Sequence, residues 1–351
     1  MPTLYPFQQE FVKRIRFLAT FGNVRYLNSD DTGLGKTPET IVAVRESGIK
    51  SGYVLVVCGK SLVNKWVKEF RIWWPESDVF PIHGGIGKKA RFELLKEIRP
   101  HRIVVTNYDT VRIERAFFMN NPPEWIIIDE AHRMKSRKSQ LTQVIHSIEA
   151  KHRLLLTATP TDGKPFELWA LLHYLNPKKY DNFWKFAQKY GIYRSSTYSN
   201  WTYVGPRNLD LLQKELSSIM IRRTKEQVLP DLPPVRQEIV SLEMTKEQSK
   251  IYHQMVYDGI MLKESGEVLT ALNAIAKIVR LKQLAVNPAL VGGKDTSPKF
   301  DYVEEVLEEA TRPIAVFSQF KTAIDLLEQR LKKYRVVRIT GDESESERER
   351  A

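Results

Sequence analysis

The sequence predicts a doubly wound α/β fold: a parallel sheet covered by helices on both faces, carrying helical insertions and followed by the start of a second sheet. Three observations predict it. Five short runs of mostly consecutive apolar residues, VRYLNSDD (24–31), YVLVVC (53–58), RIVVTNY (102–108), WIIIDE (125–130) and RLLLTATP (153–160), read as strands buried on both faces. Charged, helix-compatible segments such as 61–71, 88–98 and 136–149 lie between them, and strand–helix–strand repetition produces a parallel sheet. Polar clusters follow the apolar runs, at the carboxyl ends of the strands, where open α/β sheets bind their ligands.

After residue 160 the pattern changes. Segment 161–190 is rich in Trp, Leu and Lys and reads as helices; 191–208 is polar and aromatic with Gly and Pro, a loop or hairpin. Pro230, Pro233 and Pro234 cluster in VLPDLPPV and mark a linker, since proline interrupts both helix and ladder. Thr245 with Gln248 three residues on fits a capping box that opens a helix at 246–262. Leu269, Leu272, Ile275, Ala276 and Val279 form one face of a second helix, ended by Asn287-Pro288. The α/β pattern then restarts with a helix at 299–310, a strand at 314–319, a helix at 321–333 and a strand at 334–340. Residues 343–350, all charged or serine, read as a solvated tail or helix face. The expected organisation is 1–225 as a first lobe with a helical protrusion at about 161–220, 226–296 as linker and second protrusion, and 297–351 as part of a second lobe.

Composition narrows the function classes. At roughly 100–200 residues per domain, 351 residues suggest two or three domains. Hydrophobic residues at 42% and charged residues at 27% describe an ordinary globular chain. Lys plus Arg is 54 and Asp plus Glu 42, a net charge of +12 that points to a polyanionic partner, most simply nucleic acid. One cysteine, Cys58, excludes an internal disulfide and reads as a small buried hydrophobe. No apolar run approaches the roughly 20 residues of a bilayer span, and the first residues lack a secretory pattern. The seven histidines show no metal spacing, so no zinc is expected. Trp73-Trp74-Pro75 reads as core plus a turn, with base stacking as the alternative. His83-Gly84-Gly85 with Lys88, Lys89 and Arg91 reads as a loop and a solvated helix face.

Three motifs carry chemistry. DDTGLGKT (30–37) sits between a strand and a helix. Gly33 and Gly35 let backbone N–H groups approach phosphate oxygens, and the helix N-terminus adds a positive dipole. Lys36 reaches the β- and γ-phosphates and the Thr37 hydroxyl ligates Mg²⁺ in such a loop. The general P-loop pattern has glycine where Asp30 stands. IIIDEAH (126–132) carries two acids to a strand end: Asp129 suits a Mg²⁺ ligand, and Glu130 suits the base that orients and activates the attacking water. His132 is either a structural hydrogen-bonder or a sensor of nucleotide state. In LLLTATP (154–160), Thr157 and Thr159 either bond to the acidic motif and relay its state or merely end a strand.

GKT, DEAH and TATP in this order resemble motifs I, II and III of superfamily-two helicases. The DDTGLGKT form, with an acid at Asp30, resembles the Swi/Snf-related branch. LYPFQ (4–8) is similar to that branch's adenine-reading motif, KSLVNKWVKEF (60–70) to motif Ia with Lys60 in place of proline, and TNYDT (106–110) to motif Ib with Asn107 in place of Thr or Ser. ATPTDGKPFELWALLHYLNP (158–177) resembles the stretch after motif III with Gly163 in place of asparagine. IRRTKEQVLPDLPP (221–234) resembles the arginine-rich segment between lobes, and 297–320 the opening of the second lobe and motif IV.

The resemblance implies two RecA-like lobes with helical protrusions, ATP and Mg²⁺ as cofactors, and an ATPase that translocates on duplex DNA. It implies ATP contacts at Gln8, Gly33, Leu34, Gly35, Lys36 and Thr37, metal contacts at Thr37 and Asp129, and catalysis by Lys36, Asp129 and Glu130. It also implies coupling through His132, Thr157 and Thr159, and first-lobe DNA contacts at Ser61, Thr106 and Tyr108. Motifs V and VI of the family, the latter carrying arginine fingers, have no counterpart up to residue 351, so weak turnover by this chain alone is expected. The alternatives are an ATP- and DNA-binding fragment with little turnover, or a strand-separating helicase. The expected location is the cytoplasm for a bacterial, archaeal or viral protein and the nucleus for a eukaryotic one.

Overall fold

The computed structural model describes residues 2–82, 87–196, 199–233, 235–258, 260–262, 268–270, 274–343 and 347. The chain divides into two compact units, Met1–Pro233 and Pro234–Ala351. The first opens with α1 (Pro6–Phe21), β1 (Arg25–Asn28), α2 (Lys36–Ser47), β2 (Val54–Cys58), α3 (Val63–Trp73), β3 (Val79–Ile82) and α4 (Lys88–Lys96). β4 (Ile103–Asn107), α5 (Tyr108–Ile113), α6 (Arg115–Asn120), β5 (Trp125–Asp129), α7 (Gln140–Ser147) and β6 (His152–Leu156) follow. The unit closes with α8 (Leu168–Leu175), α9 (Phe183–Tyr190), β7 (Gly191–Ser196), β8 (Ser199–Pro206), α10 (Leu209–Leu216), β9 (Met220–Ile221) and α11 (Lys225–Val228).

Seven strands form one parallel sheet in the order β3-β4-β2-β5-β6-β1-β9. Five of them are the five apolar runs. The other two stand at the edges and escaped the sequence pattern for different reasons. β3 contains Pro81, tolerated at an edge because its missing donor faces no neighbour there, and β9 is only two residues long. The doubly wound architecture is visible within β2. Val54, Val56 and Cys58 join one core with Phe11, Ile41, Trp66 and Phe70, whereas Leu55 and Val57 join the opposite core with Val111, Ile145 and Leu171. Each fully buried aliphatic side chain contributes about 1.5–3 kcal/mol. Burial pushes Cys58 far above an ordinary thiol, consistent with an inert core residue.

Trp73 and Trp74 pack against the first of these cores, as a core reading requires. Arg91 departs from its expected solvated face: it is buried, and its Nε donates to Glu114 Oε1 at 2.7 Å. The expected loop at His83-Gly84-Gly85 lies outside the described residues. A third core, with Leu168, Trp169, Leu172, Phe186, Tyr190 and Leu216, builds the helical segment after β6, and β7–β8 form the antiparallel hairpin that 191–208 allowed.

In the second unit, α12 (Lys246–Asp258) is shorter than the expected 246–262, because Ile260–Leu262 form β10, paired antiparallel with β11 (Val268–Thr270). Thr245 Oγ1 accepts the Gln248 N–H at 3.1 Å, but the Gln248 amide donates to Leu284 O at 2.7 Å, so the capping box is half made. α13 (Ala274–Val286) starts later than expected; Leu269 lies in the ribbon, Leu272 outside the described residues, and Ile275 and Val279 are exposed, while Leu284 is the buried residue. α14 (Pro298–Glu309) and α15 (Lys321–Arg330) match the expected helices and pack through Phe300, Ala323 and Leu327.

The strands expected at 314–319 and 334–340 are not strands. Neither segment pairs with another among the described residues, and Phe317 is 91% exposed. A strand is defined by its partner, so apolar β-formers without a ladder remain irregular.

Glu124 anchors the start of β5. Its Oε2 accepts the N–H groups of Lys50, Ser51 and Gly52 at 2.9, 2.9 and 3.0 Å, fixing the turn before β2. Against the opposing effect of burial, these three donors hold its carboxyl below the usual range. Glu124→Ala leaves three amides without their acceptor and should cost about 2–3 kcal/mol in urea unfolding at pH 7. Because the folded-state value is depressed, the wild-type advantage is present above the unfolded value near ~4.3 and is lost as pH falls through the folded one. Equal stability of wild type and variant at pH 7 would exclude this role.

Candidate active site

The site lies at the carboxyl edge of the sheet. β6 runs between β1 and β5, so the loops leaving these three strands converge. The loop after β1 turns at Gly33 and Gly35, both left-handed with φ of +83° and +81°. A Cβ at Gly35 would also press on the end of the Gln8 side chain at Nε2, so another residue here strains the backbone and displaces the Gln8 amide. α2 begins at Lys36, directing its N-terminal N–H groups and the half-buried Thr37 toward the loop. Leu34 is 2% exposed: its side chain anchors the loop inside, and only its backbone faces the site. Gln8 sits beneath the loop, donating to Leu34 O at 2.8 Å and accepting the Tyr5 N–H at 2.9 Å.

The Lys36 ammonium donates to Asp30 O at 2.7 Å and Asp31 O at 3.0 Å. Burial pushes Lys36 down, while the carboxylates of Asp30, Glu130 and Asp129 push back. Asp129 is pushed up by burial and, to a lesser degree, by Glu130; a hydrogen bond from Trp66 Nε1 at 2.8 Å and the Lys36 charge oppose this. Glu130 adopts a left-handed backbone with φ +54°. Such strain in a non-glycine residue costs on the order of 1–3 kcal/mol and clusters at functional positions.

His132 Nδ1 lies 3.1 Å from Glu130 Oε2 and 3.2 Å from Thr157 Oγ1. Thr157 Oγ1 accepts the Thr159 N–H at 3.2 Å, and the Thr157 N–H donates to Asn28 O at 3.0 Å. His132 and Thr157 therefore link the acid pair to the end of β1, with Thr159 attached at Thr157.

The DNA candidates separate. Ser61 is exposed on a short 3₁₀ turn, Lys60–Leu62, after β2. Thr106 is fully buried, and Tyr108 is 4% exposed with its hydroxyl donating to the carbonyls of Asp129 and Glu130. Neither side chain is presented to solvent here: Thr106 lies in β4, which pairs with β2 on one side and β3 on the other, and Tyr108, the first residue of α5, braces the acidic motif.

Sequence reading missed the network behind the P-loop. Asp30 is fully buried and bonded to Arg223, through its backbone N–H at 2.8 Å, Nε at 2.9 Å and Nη2. Arg223 Nη2 also donates to Glu39 Oε2 at 3.1 Å, and Nη1 to Phe7 O. Asn28 Nδ2 completes the set on Glu39 Oε1 at 2.5 Å. Burial pushes Glu39 up to about 8, Arg223 opposing and Asp30 adding to it. An acid in place of the loop glycine was the available signal, but its partner lies 193 residues away.

A nucleotide-type loop and an acid pair on a parallel α/β sheet define a P-loop NTPase-like class. The SNF2-related domain model matches residues 20–290, and the chain belongs to that family. It is 27% identical over 347 residues to the human SWI/SNF-related matrix-associated actin-dependent regulator of chromatin subfamily A member 1, covering 92% of this chain and 32% of that protein. It is 25% identical over 350 residues to an uncharacterized ATP-dependent helicase of Mycoplasma genitalium, covering 97% and 32%. The chain thus spans about a third of the length of these relatives. The Sulfolobus solfataricus SWI2/SNF2 ATPase core domain matches with a TM-score of 0.53 and 25% identity, covering 100% of this chain and 73% of that one. The same core in complex with dsDNA matches at 0.57 and 22%, covering 99% and 74%. The fold is RecA-like α/β.

Removing Arg223 leaves two buried acids facing each other. Arg223→Ala should cost about 3–5 kcal/mol in urea unfolding. Glu39 titrates the other way from Glu124: its folded value is raised, so folding retains a proton and stability declines as pH rises toward 8, by up to about 1.4 kcal/mol per pH unit. Glu39→Gln should flatten the stability profile between pH 6 and 8. A variant that keeps the wild-type slope would assign that slope to another group.

Proposed function

We propose that this chain carries the ATP-hydrolysing centre of a motor that moves along duplex DNA. The observation that carries the reading is the meeting of Lys36, Asp129 and Glu130 at one sheet edge, tied through His132 and Thr157 to the end of β1. The residues fit Mg²⁺-ATP. Two left-handed glycines leave room for phosphate oxygens, a lysine and a helix N-terminus oppose their charge, and a buried carboxylate stands near that lysine.

Lys36 and the amides of residues 33–37 would hold the phosphates, Thr37 and Asp129 the metal. Gln8 keeps one lone pair and one N–H unspent, which supports a contact to the adenine edge. When bound, Mg²⁺-ATP supplies the phosphoanhydride bond and the divalent charge that offsets developing negative charge. Lys36 exchanges its loop carbonyls for the phosphates. Glu130 orients a water and takes up its proton, and His132, touching both Glu130 and Thr157, passes the change in that carboxylate to the neighbouring strand.

Duplex DNA as the track is supported by the family, by the Sulfolobus core in complex with dsDNA, and by the net charge of +12. Exposed Ser61 is the first-lobe contact proposed here. The location follows from partners and stays coarse: no described helix is long and apolar enough to cross a membrane.

In a chain that includes a complete second lobe, Glu130→Gln should retain ATP binding and lose about 10²–10⁴ in turnover, whereas Lys36→Ala should lose nucleotide binding. Phosphate release and nucleotide titration read the two separately, and wild-type turnover by Glu130→Gln would move the base elsewhere. Duplex affinity should fall steeply with salt and change little with sequence, because phosphate contacts release counterions without reading bases. A shallow salt slope with strong sequence preference would refute the phosphate-track reading.

A further inference from the structure

Residues 178–208 hold six basic residues, one acid and nine aromatics. α9 and the β7–β8 hairpin lie within this stretch. Lys178, Lys185, Arg194 and Arg207 are exposed and make no ion pair among the described residues. The one acid of the neighbourhood with several basic partners, Glu215, is already occupied by Lys179 and Lys189. The surplus positive charge here is therefore uncompensated.

The aromatics are arranged as a supported platform. Tyr203 packs edge-on to Phe166 at 5.1 Å and to Tyr193, its ladder partner, at 5.6 Å. Tyr193 in turn meets Trp184 at 6.3 Å. On this base Trp184 remains 46% exposed, and Trp201, on β8, is 55% exposed. Both half-exposed indoles lie in the same stretch of chain as these unpaired cations. Phosphate contact alone explains the cations and leaves the indoles unexplained, whereas unstacked bases use both.

We propose that α9 and the β7–β8 hairpin form a second nucleic-acid site, one that binds single-stranded nucleic acid. Trp184 and Trp201 stack on bases, and Lys185 and Arg194 face the phosphates. The site is independent of the duplex-tracking reading, which rests on other residues.

The test uses the full chain and a fluorescein-labelled 20-nucleotide oligo(dT), with a mixed-sequence duplex of 20 base pairs as the comparison, in fluorescence anisotropy. The double variant Trp184→Ala with Trp201→Ala should lose about 30-fold or more in oligo(dT) affinity, as two lost stacks imply. Its duplex affinity should change less than about threefold. Both side chains are half exposed, so the variant keeps its core; circular dichroism checks this. Lys185→Glu with Arg194→Glu should steepen the loss on oligo(dT). Equal losses on both ligands would make the surface part of the duplex path and overturn the proposal. No loss on oligo(dT) with either double variant would overturn it too, leaving the surface to a protein partner. Failure of duplex binding with intact oligo(dT) binding would refute the translocase reading alone.

Discussion

The buried contact between Asp30 and Arg223 is the constraint on which the first unit depends. It joins the loop after β1 to the segment after β9, 193 residues further along the chain. Through Phe7 O and Glu39 the same guanidinium also reaches α1 and α2. Four pieces of backbone therefore meet on one planar donor group whose fork geometry lysine cannot reproduce. A charge this deep is tolerable when its donors find acceptors: Nε and Nη2 reach the two acids and Nη1 the Phe7 carbonyl, while the Asn28 amide donates to the other oxygen of Glu39. Burial pushes the fully buried Glu39 up to about 8 against the opposing pull of Arg223.

This network also explains why an acid replaces the loop glycine. A P-loop needs backbone freedom where phosphates approach, and Gly33 and Gly35 supply it. Asp30 lies at the strand end, where nothing needs to pass, so a side chain can be used to fasten the loop to β9. The strand order then does the rest. With β6 between β1 and β5, Thr157 stands between the phosphate loop and the acid pair, and a single histidine spans from Glu130 to Thr157. Tyr108 and Trp66 hold the acid pair from below, through the Asp129 carbonyl and carboxylate.

The second unit shows the same rules failing for lack of partners. Its helices form because capping and amphipathic packing are local: Ser297 caps α14, and Phe300 meets Leu327 of α15. The apolar segments 314–319 and 334–340 have strand composition but no ladder, so Phe317 and Ile339 stay exposed. In α13 the apolar periodicity misled, because burial is decided by what covers a face: Ile275 is 77% exposed and Leu284 fully buried.

By itself the sequence determined the sheet class, five of its seven strands and the loop and strand-end positions of Lys36, Asp129 and Glu130. These are local properties: consecutive buried β-formers, glycines required by backbone geometry, and acids placed at a strand end. The family resemblance supplied the order of the motifs and pointed to the arginine-rich segment without saying what it holds. Only the tertiary structure decided that Arg223 pairs with Asp30, that Thr106 and Tyr108 face inward, that β3 and β9 close the sheet edges, and that Trp184 on α9 and Trp201 on β8 stay half exposed. Each of these depends on residues distant in sequence becoming neighbours, and a spacing rule along one chain carries no information about which distant element fills the space beside it.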